Sequence, residues 1–159
     1  MNKLIIIFLG FLLSACNAAK QKDADTMNNK NTEKGKDYPY EVLIQDSHGG
    51  YDQPQILVIR EPMALQDIYG KINMTRKPGF PYPEVDFEIE MIIALCMGKK
   101  TTGGYSIGID SMDEGSDTLL IRVRETEPEG MAAAVISQPF CLIKLPATNK
   151  KIVFEKALK

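Results

Sequence analysis

The stretch Glu90-Met91-Ile92-Ile93-Ala94-Leu95-Cys96-Met97 constrains this chain more than any other feature. After its first residue it offers no polar side chain, so neither face of an extended segment here can be left to water. It has the length of a strand and falls far short of a membrane span. A central strand buried on both faces is therefore expected.

The apolar patterns around it are mostly those of further strands. Glu41-Val42-Leu43-Ile44-Gln45 and Gln55-Ile56-Leu57-Val58-Ile59 are short β-branched runs separated by Asp46-Ser47-His48-Gly49-Gly50, and they read as a first hairpin. Next the period changes. Leu65, Ile68, Tyr69 and Ile72 stand at i, i+3, i+4 and i+7, the stripe of an amphipathic helix, with Pro62 suited to its first turn. Pro78, Gly79, Phe80, Pro81, Tyr82 and Pro83 then require an extended loop. Two alternating runs, residues 105–110 and 119–125, flank a Gly/Ser/Asp turn and predict an antiparallel hairpin. Residues 140–145 and 151–155 complete the set, divided by Pro146 and Asn149. The class expected is α+β: a single, mainly antiparallel β domain of about seven strands, a sandwich or partial barrel, with one packed helix.

The start of the chain reads as an address. Lys3 precedes an apolar run, residues 4–13, that would cover only about 15 Å as a helix, too short to cross a bilayer and fitting a signal-peptide core. Directly after it, Leu13-Ser14-Ala15-Cys16 resembles the bacterial lipobox, in which small residues admit a peptidase and the cysteine thiol takes a diacylglyceryl group. Two or three acyl chains, at about 0.8 kcal/mol per buried methylene, would hold the protein to a membrane. Asn17 lacks the Asp associated with inner-membrane retention, which points to the outer membrane of a bacterial envelope. Up to about residue 37 the chain is rich in Asn, Lys, Asp, Gln and Thr, the composition of a disordered tether. The organisation expected is 1–15 signal peptide, 16–37 lipidated Cys16 and tether, and 38–159 folded domain.

Composition narrows the function. Net charge is -2, the charges are interspersed, and basic neighbours such as Lys99-Lys100 and Lys150-Lys151 are too few to neutralise a phosphate backbone, so nucleic acid is not an expected partner. With one histidine and no tryptophan, neither a metal centre nor a cofactor is expected. Asp46, Ser47 and His48 are the residue types of a hydrolytic triad, but sequence neighbours rarely face one another in that geometry. Asp86, Glu88 and Glu90 alternate as on a solvated strand edge. Cys96 and Cys141 both fall in apolar strands and could pair if those strands are adjacent, or remain buried thiols. No enzymatic activity is expected.

Three segments in order carry a family resemblance: Val85-Asp86-Phe87; Gly98-Lys99-Lys100-Thr101-Thr102-Gly103-Gly104-Tyr105-Ser106-Ile107; and Gln138-Pro139-Phe140-Cys141-Leu142-Ile143-Lys144-Leu145-Pro146. Together they resemble the C-terminal domain of the PrcB family over about residues 57–146. The resemblance implies a lipoprotein that associates with and stabilises a surface protease complex, a protein-binding role rather than a catalytic one. It departs from the family in having Tyr69 where a Trp is common, and Ala132-Ala133-Ala134 where a cysteine is often found. The residues expected to meet the partner are Thr101, Thr102, Gly103, Gly104 and Tyr105. The same five also resemble the TTGY loop of chagasin-type cysteine-protease inhibitors, which implies an alternative role as an inhibitor. The structural alternative is a tight bend, with both glycines at positive φ and Tyr105 packed on the sheet.

Overall fold

The structure is a computed structural model that describes residues 38–158. The residues read above as signal peptide, lipidated Cys16 and tether, 1–37, therefore lie outside the described residues. The elements are β1 (Glu41–Asp46), β2 (Gln55–Ile59), α1 (Pro62–Ile72), β3 (Glu90–Cys96), β4 (Ser106–Glu114), β5 (Thr118–Thr126), β6 (Phe140–Pro146) and β7 (Lys151–Lys156). They form a four-stranded sheet ordered β1-β6-β3-β2 and a three-stranded sheet ordered β4-β5-β7. Every pairing is antiparallel except β5 with β7. This is the expected α+β domain, with seven strands and one helix among the described residues.

The uninterrupted apolar run becomes β3, and alternation along it explains the layers. Met91, Ile93 and Leu95, with Cys141, Ile143 and Leu145 of β6, face the three-stranded sheet and meet Ile107, Ile109, Met112, Leu119, Ile121 and Val123. Ile92, Ala94 and Cys96, with Phe140 and Leu142, face the other way and are covered by Leu65, Ile68, Tyr69 and Ile72 of α1. The four-stranded sheet is thus the middle layer between a helix and a second sheet. Such burial stabilises by about 1.5–3 kcal/mol for each large aliphatic side chain taken fully out of water. The helix opens with Glu61 in an extended conformation and Pro62 at the start, where its missing N–H leaves no hydrogen bond unmade.

One expectation is corrected. β1 and β2 do not pair; they are the two opposite edges of the middle sheet, β1 against β6 and β2 against β3. The link between them runs across the ends of β6 and β3 instead of turning back. It is held there by Gln138 N–H donating to the Ser47 carbonyl at 2.7 Å, Gly49 N–H to the Gln138 carbonyl at 2.8 Å, and Lys99 N–H to the Asp52 carbonyl at 3.0 Å. The glycines serve that crossing: a Cβ on Gly49 would lie 2.7 Å from the Phe140 ring, and Gly50 has φ +73°.

The proline loop folds back as cover. Asn73 brackets Phe80, its side-chain amide donating to the Phe80 carbonyl at 3.0 Å while its oxygen accepts the Phe80 N–H at 2.7 Å. The Phe80 ring meets Phe140 edge-on, and Tyr82 meets Tyr69 with centroids 5.1 Å apart. The segment before β3 also differs from the alternating edge expected. Residues 87–89 form a turn in which the Asp86 carboxylate accepts the Glu88 N–H at 3.0 Å and the Glu90 carboxylate accepts the Asp86 N–H at 3.1 Å.

Candidate partner-binding surface

After β3 the chain must leave the middle sheet and start β4 in the outer one. Gly98 allows the departure: it has φ +73°, and a Cβ there would sit 2.8 Å from Pro54. The crossing segment is then fastened to the long connection between β5 and β6. Lys100 and Ser137 exchange backbone hydrogen bonds of 2.8 and 3.1 Å. The Ser137 hydroxyl, 1% exposed, donates to the Thr102 carbonyl at 2.8 Å. Gly103 N–H donates to the Ala133 carbonyl at 3.0 Å.

The two glycines of this bend have different roles, which corrects the expectation that both hold positive φ. Only Gly104 does, at +88°, and a Cβ on it would be 2.7 Å from Pro128 Cβ. Gly103 has no such φ, and a Cβ on it would meet only Val135 Cγ1, at 3.2 Å. Tyr105 packs partly buried against the core between the sheets, with Lys100 Nζ 5.3 Å from its ring centre. Thr101 and Gly104 are exposed, while Thr102, Gly103 and Tyr105 are half-buried. The bend lies along the surface and does not stand clear of it.

What it lies on was missed by sequence reasoning. Met131, Val135 and Ile136 are solvent-exposed apolar side chains in the connection that accepts the Gly103 N–H and donates to the Thr102 carbonyl. Ile136 is 57% exposed and Met131 fully so. The bend is tied to this connection at Ala133 and Ser137, and Val135 Cγ1 lies 3.2 Å from where a Cβ on Gly103 would stand. Clustered apolar exposure of this kind marks an interaction surface more often than isolated exposed residues do. The signal available in the sequence was an apolar hexad, residues 131–136, with neither strand nor helix period, between Glu127-Pro128-Glu129-Gly130 and Gln138-Pro139.

The remaining candidates resolve as follows. Ser47 Oγ is 3.0 Å from His48 Nδ1, and Asp46 Oδ1 is 3.8 Å from the same nitrogen. A triad needs its hydroxyl and its carboxylate on opposite ring nitrogens, so this set lacks that geometry. Asp46 instead accepts from Arg76 at 2.8 Å and from the His48 N–H at 2.9 Å. Cys96 and Cys141 lie on neighbouring strands but one residue out of register, since Leu95 pairs with Cys141 and Cys96 with Phe140. Their side chains consequently enter different cores on opposite faces of the sheet, and no disulfide joins them. Burial pushes the Cys96 thiol up to about 11. Lys144, on β6, lies 3.3 Å from both Glu41 and Glu90. Burial draws its pKa down, but hydrogen bonds and charge from the two carboxylates outweigh that and raise it overall.

Residues 91–146 match the family model described as PrcB C-terminal. The matched span begins in β3 and ends at β6, so Val85-Asp86-Phe87, which contributed to the resemblance seen in the sequence, falls outside it, as do β2 and α1. No curated protein and no solved structure matches the chain. The stretch that supplies the centre of the middle sheet, the bend at 101–105 and the apolar residues 131–136 is therefore PrcB C-terminal-like.

Proposed function

We propose that this chain is a lipoprotein of the bacterial envelope, anchored through Cys16, whose folded domain is a non-catalytic protein-binding module that stabilises a protease complex. The observation that carries the binding role is that hydrogen bonds tie the Thr101-to-Tyr105 bend to the connection bearing exposed Met131, Val135 and Ile136, inside the PrcB C-terminal-like stretch. Hydrogen bonds within the fold already hold this surface in one conformation, so a partner would meet it with little ordering cost. The anchor rests on the lipobox resemblance of Leu13-Ser14-Ala15-Cys16, and the outer-membrane placement on Asn17.

The test is affinity capture from crosslinked envelopes, comparing the parent chain with a Met131→Asp/Ile136→Asp variant. Both substitutions fall on exposed side chains, so the fold should persist. The reading expects a co-purifying envelope protease complex with the parent and its loss with the variant. Equal recovery by a folded variant would remove this surface from the account. Adding the purified protein to that protease separates the inhibitor reading: stoichiometric loss of peptidase activity would favour it, and unchanged activity with a longer-lived complex favours stabilisation.

A further inference from the structure

The connection from β5 to β6, residues 127–139, is built differently from the other long links of the fold. Glu129, Gly130, Met131 and residues 133–136 are exposed, and Ala132 is half-buried. Between Pro128 and Pro139 it contains no proline, and no charge falls between Glu129 and Lys144. Its backbone is tied at few points. The Ala133 carbonyl accepts the Gly103 N–H at 3.0 Å and the Val135 N–H at 2.8 Å, and Ser137 is bonded to Lys100. Among the described residues, the backbone groups of Gly130, Met131, Ala132 and Ala134 make no hydrogen bond to another backbone group.

An endopeptidase takes its substrate as an extended segment whose backbone it hydrogen-bonds itself, so the segment must have those groups unspent. The other links fail this requirement. Residues 46–54 are bonded to Gln138 and Lys99. Residues 73–89 hold three prolines, which lack an N–H, and Asn73 brackets Phe80. Composition then narrows the class of enzyme. Three consecutive alanines, 132–134, stand in the β5–β6 connection. Of the other alanines among the described residues, Ala64 and Ala94 lie inside α1 and β3, while Ala147 and Ala157 donate their N–H groups to Ile89 and Val123. No Lys or Arg occurs between Arg124 and Lys144, so an enzyme that selects cations has nothing to recognise there.

We propose that the Ala132–Ala133 peptide bond is a processing site for an endopeptidase whose primary pocket takes a small apolar side chain. Hydrolysis adds water across that amide, leaving a carboxylate on Ala132 and an amine on Ala133. The next bond is disfavoured because the Ala133 carbonyl already accepts two N–H donors and must lose them to enter an oxyanion hole. The Ala132 carbonyl has no backbone donor to lose. The product stays assembled. Residues 133–159 carry β6, flanked by β1 and β3 in the middle sheet, and β7, which pairs with β5. Cys141, Leu142 and Ile143 are at most 1% exposed, so this fragment is held by the core as well as by the ladders. The proposal goes beyond the binding role and does not require it, since cleavage is read whether or not a partner is captured.

The experiment recovers the full chain, carrying a C-terminal tag, from its own cells and sequences the tagged species from their N-termini. The proposal expects a fragment that begins at Ala133, stays with the rest of the chain through native purification and separates from it in urea. An Ala132→Asp/Ala133→Asp/Ala134→Asp variant should yield no such fragment. Two digestions of purified full chain test the geometry without relying on that variant's folding. Pancreatic elastase, which prefers small apolar residues, should make its first cut within residues 38–159 after Ala132. Trypsin should cut there only in an Ala132→Arg variant. Uncut parent as the only species in cells overturns the proposal. So does a tagged fragment that begins elsewhere within residues 38–159, one that forms equally from the triple variant, or elastase cutting first within 46–54 or 73–89.

Discussion

Replacing Gly104 and Gly103 by alanine, one at a time, separates backbone demand from packing in the bend. Gly104 sits at φ +88°, where an L-residue costs about 1–2 kcal/mol. Its new Cβ would also arrive 2.7 Å from Pro128 Cβ, and relieving that overlap by moving residues 127–130 should cost about 1–2 kcal/mol more. Lower unfolded-state entropy returns about 0.4–1 kcal/mol, leaving a net loss of about 2–3 kcal/mol. Gly103→Ala has no φ penalty and meets only the end of Val135 at 3.2 Å, so it should change stability by less than about 1 kcal/mol. Urea unfolding followed by circular dichroism is the assay. With a slope of about 1–3 kcal/mol/M, Gly104→Ala should lower the midpoint by roughly 0.7–3 M. In a Pro128→Gly background, which lacks the Pro128 Cβ, the loss caused by Gly104→Ala should shrink to its φ part. Equal losses at the two glycines, or no loss from Gly104→Ala in the Pro128→Gly background, would refute the assignment of the left-handed position to Gly104.

Three further outcomes follow from the same structure. Ser137→Ala strips the Thr102 carbonyl of its buried donor and should destabilise by about 1–2 kcal/mol in the same unfolding assay, while a surface control, Ser116→Ala, stays near zero. Lys144→Met leaves Glu41 and Glu90 facing each other without their shared cation and should cost about 1–3 kcal/mol, less than for a fully buried pair because all three side chains keep some solvent, with Glu41→Gln restoring part of it. Because the Lys144 pKa is raised above 10.5 in the folded state, its contribution is present below that pH and lost as pH rises through the folded value; Lys144→Met should therefore show a flatter decline of stability above pH 10.5 than the parent. Cys96, with its thiol pushed up to about 11, and buried Cys141 should react slowly with iodoacetamide in the native state, and mild oxidation should yield no 96–141 disulfide by mass spectrometry.

The sequence made most of the fold legible because its strongest signals were local. The apolar run of β3 could be buried only on both faces, and the Leu65, Ile68, Tyr69, Ile72 stripe could only be a helix face. The β4–β5 hairpin was equally visible, since its turn joins strands adjacent in both chain and space. Pairing between distant strands was not. The Gly49-Gly50 segment has a hairpin's composition, and only the three-dimensional approach to Phe140 and Gln138 shows that the glycines let the chain cross the sheet end. The candidate surface was half legible for the same reason. Its glycines announced a bend, but the neighbouring Met131, Val135 and Ile136 join it only through hydrogen bonds that span some thirty residues, from Thr102 to Ser137 and from Gly103 to Ala133. The thiols show the converse: adjacent strands would permit a pairing, yet a one-residue offset puts Cys96 and Cys141 on opposite faces.

Photo-crosslinking in intact cells tests the binding surface most directly. A benzophenone side chain at position 136 sits on the apolar rim beside the bend; one at position 89, also on an exposed isoleucine, lies at the opposite end of β3, about 20 Å away at 3.3 Å per residue. The account predicts that position 136 captures a component of an envelope protease complex and position 89 does not. Capture of the same protein from position 89 alone, or of no protease component from position 136, would contradict it.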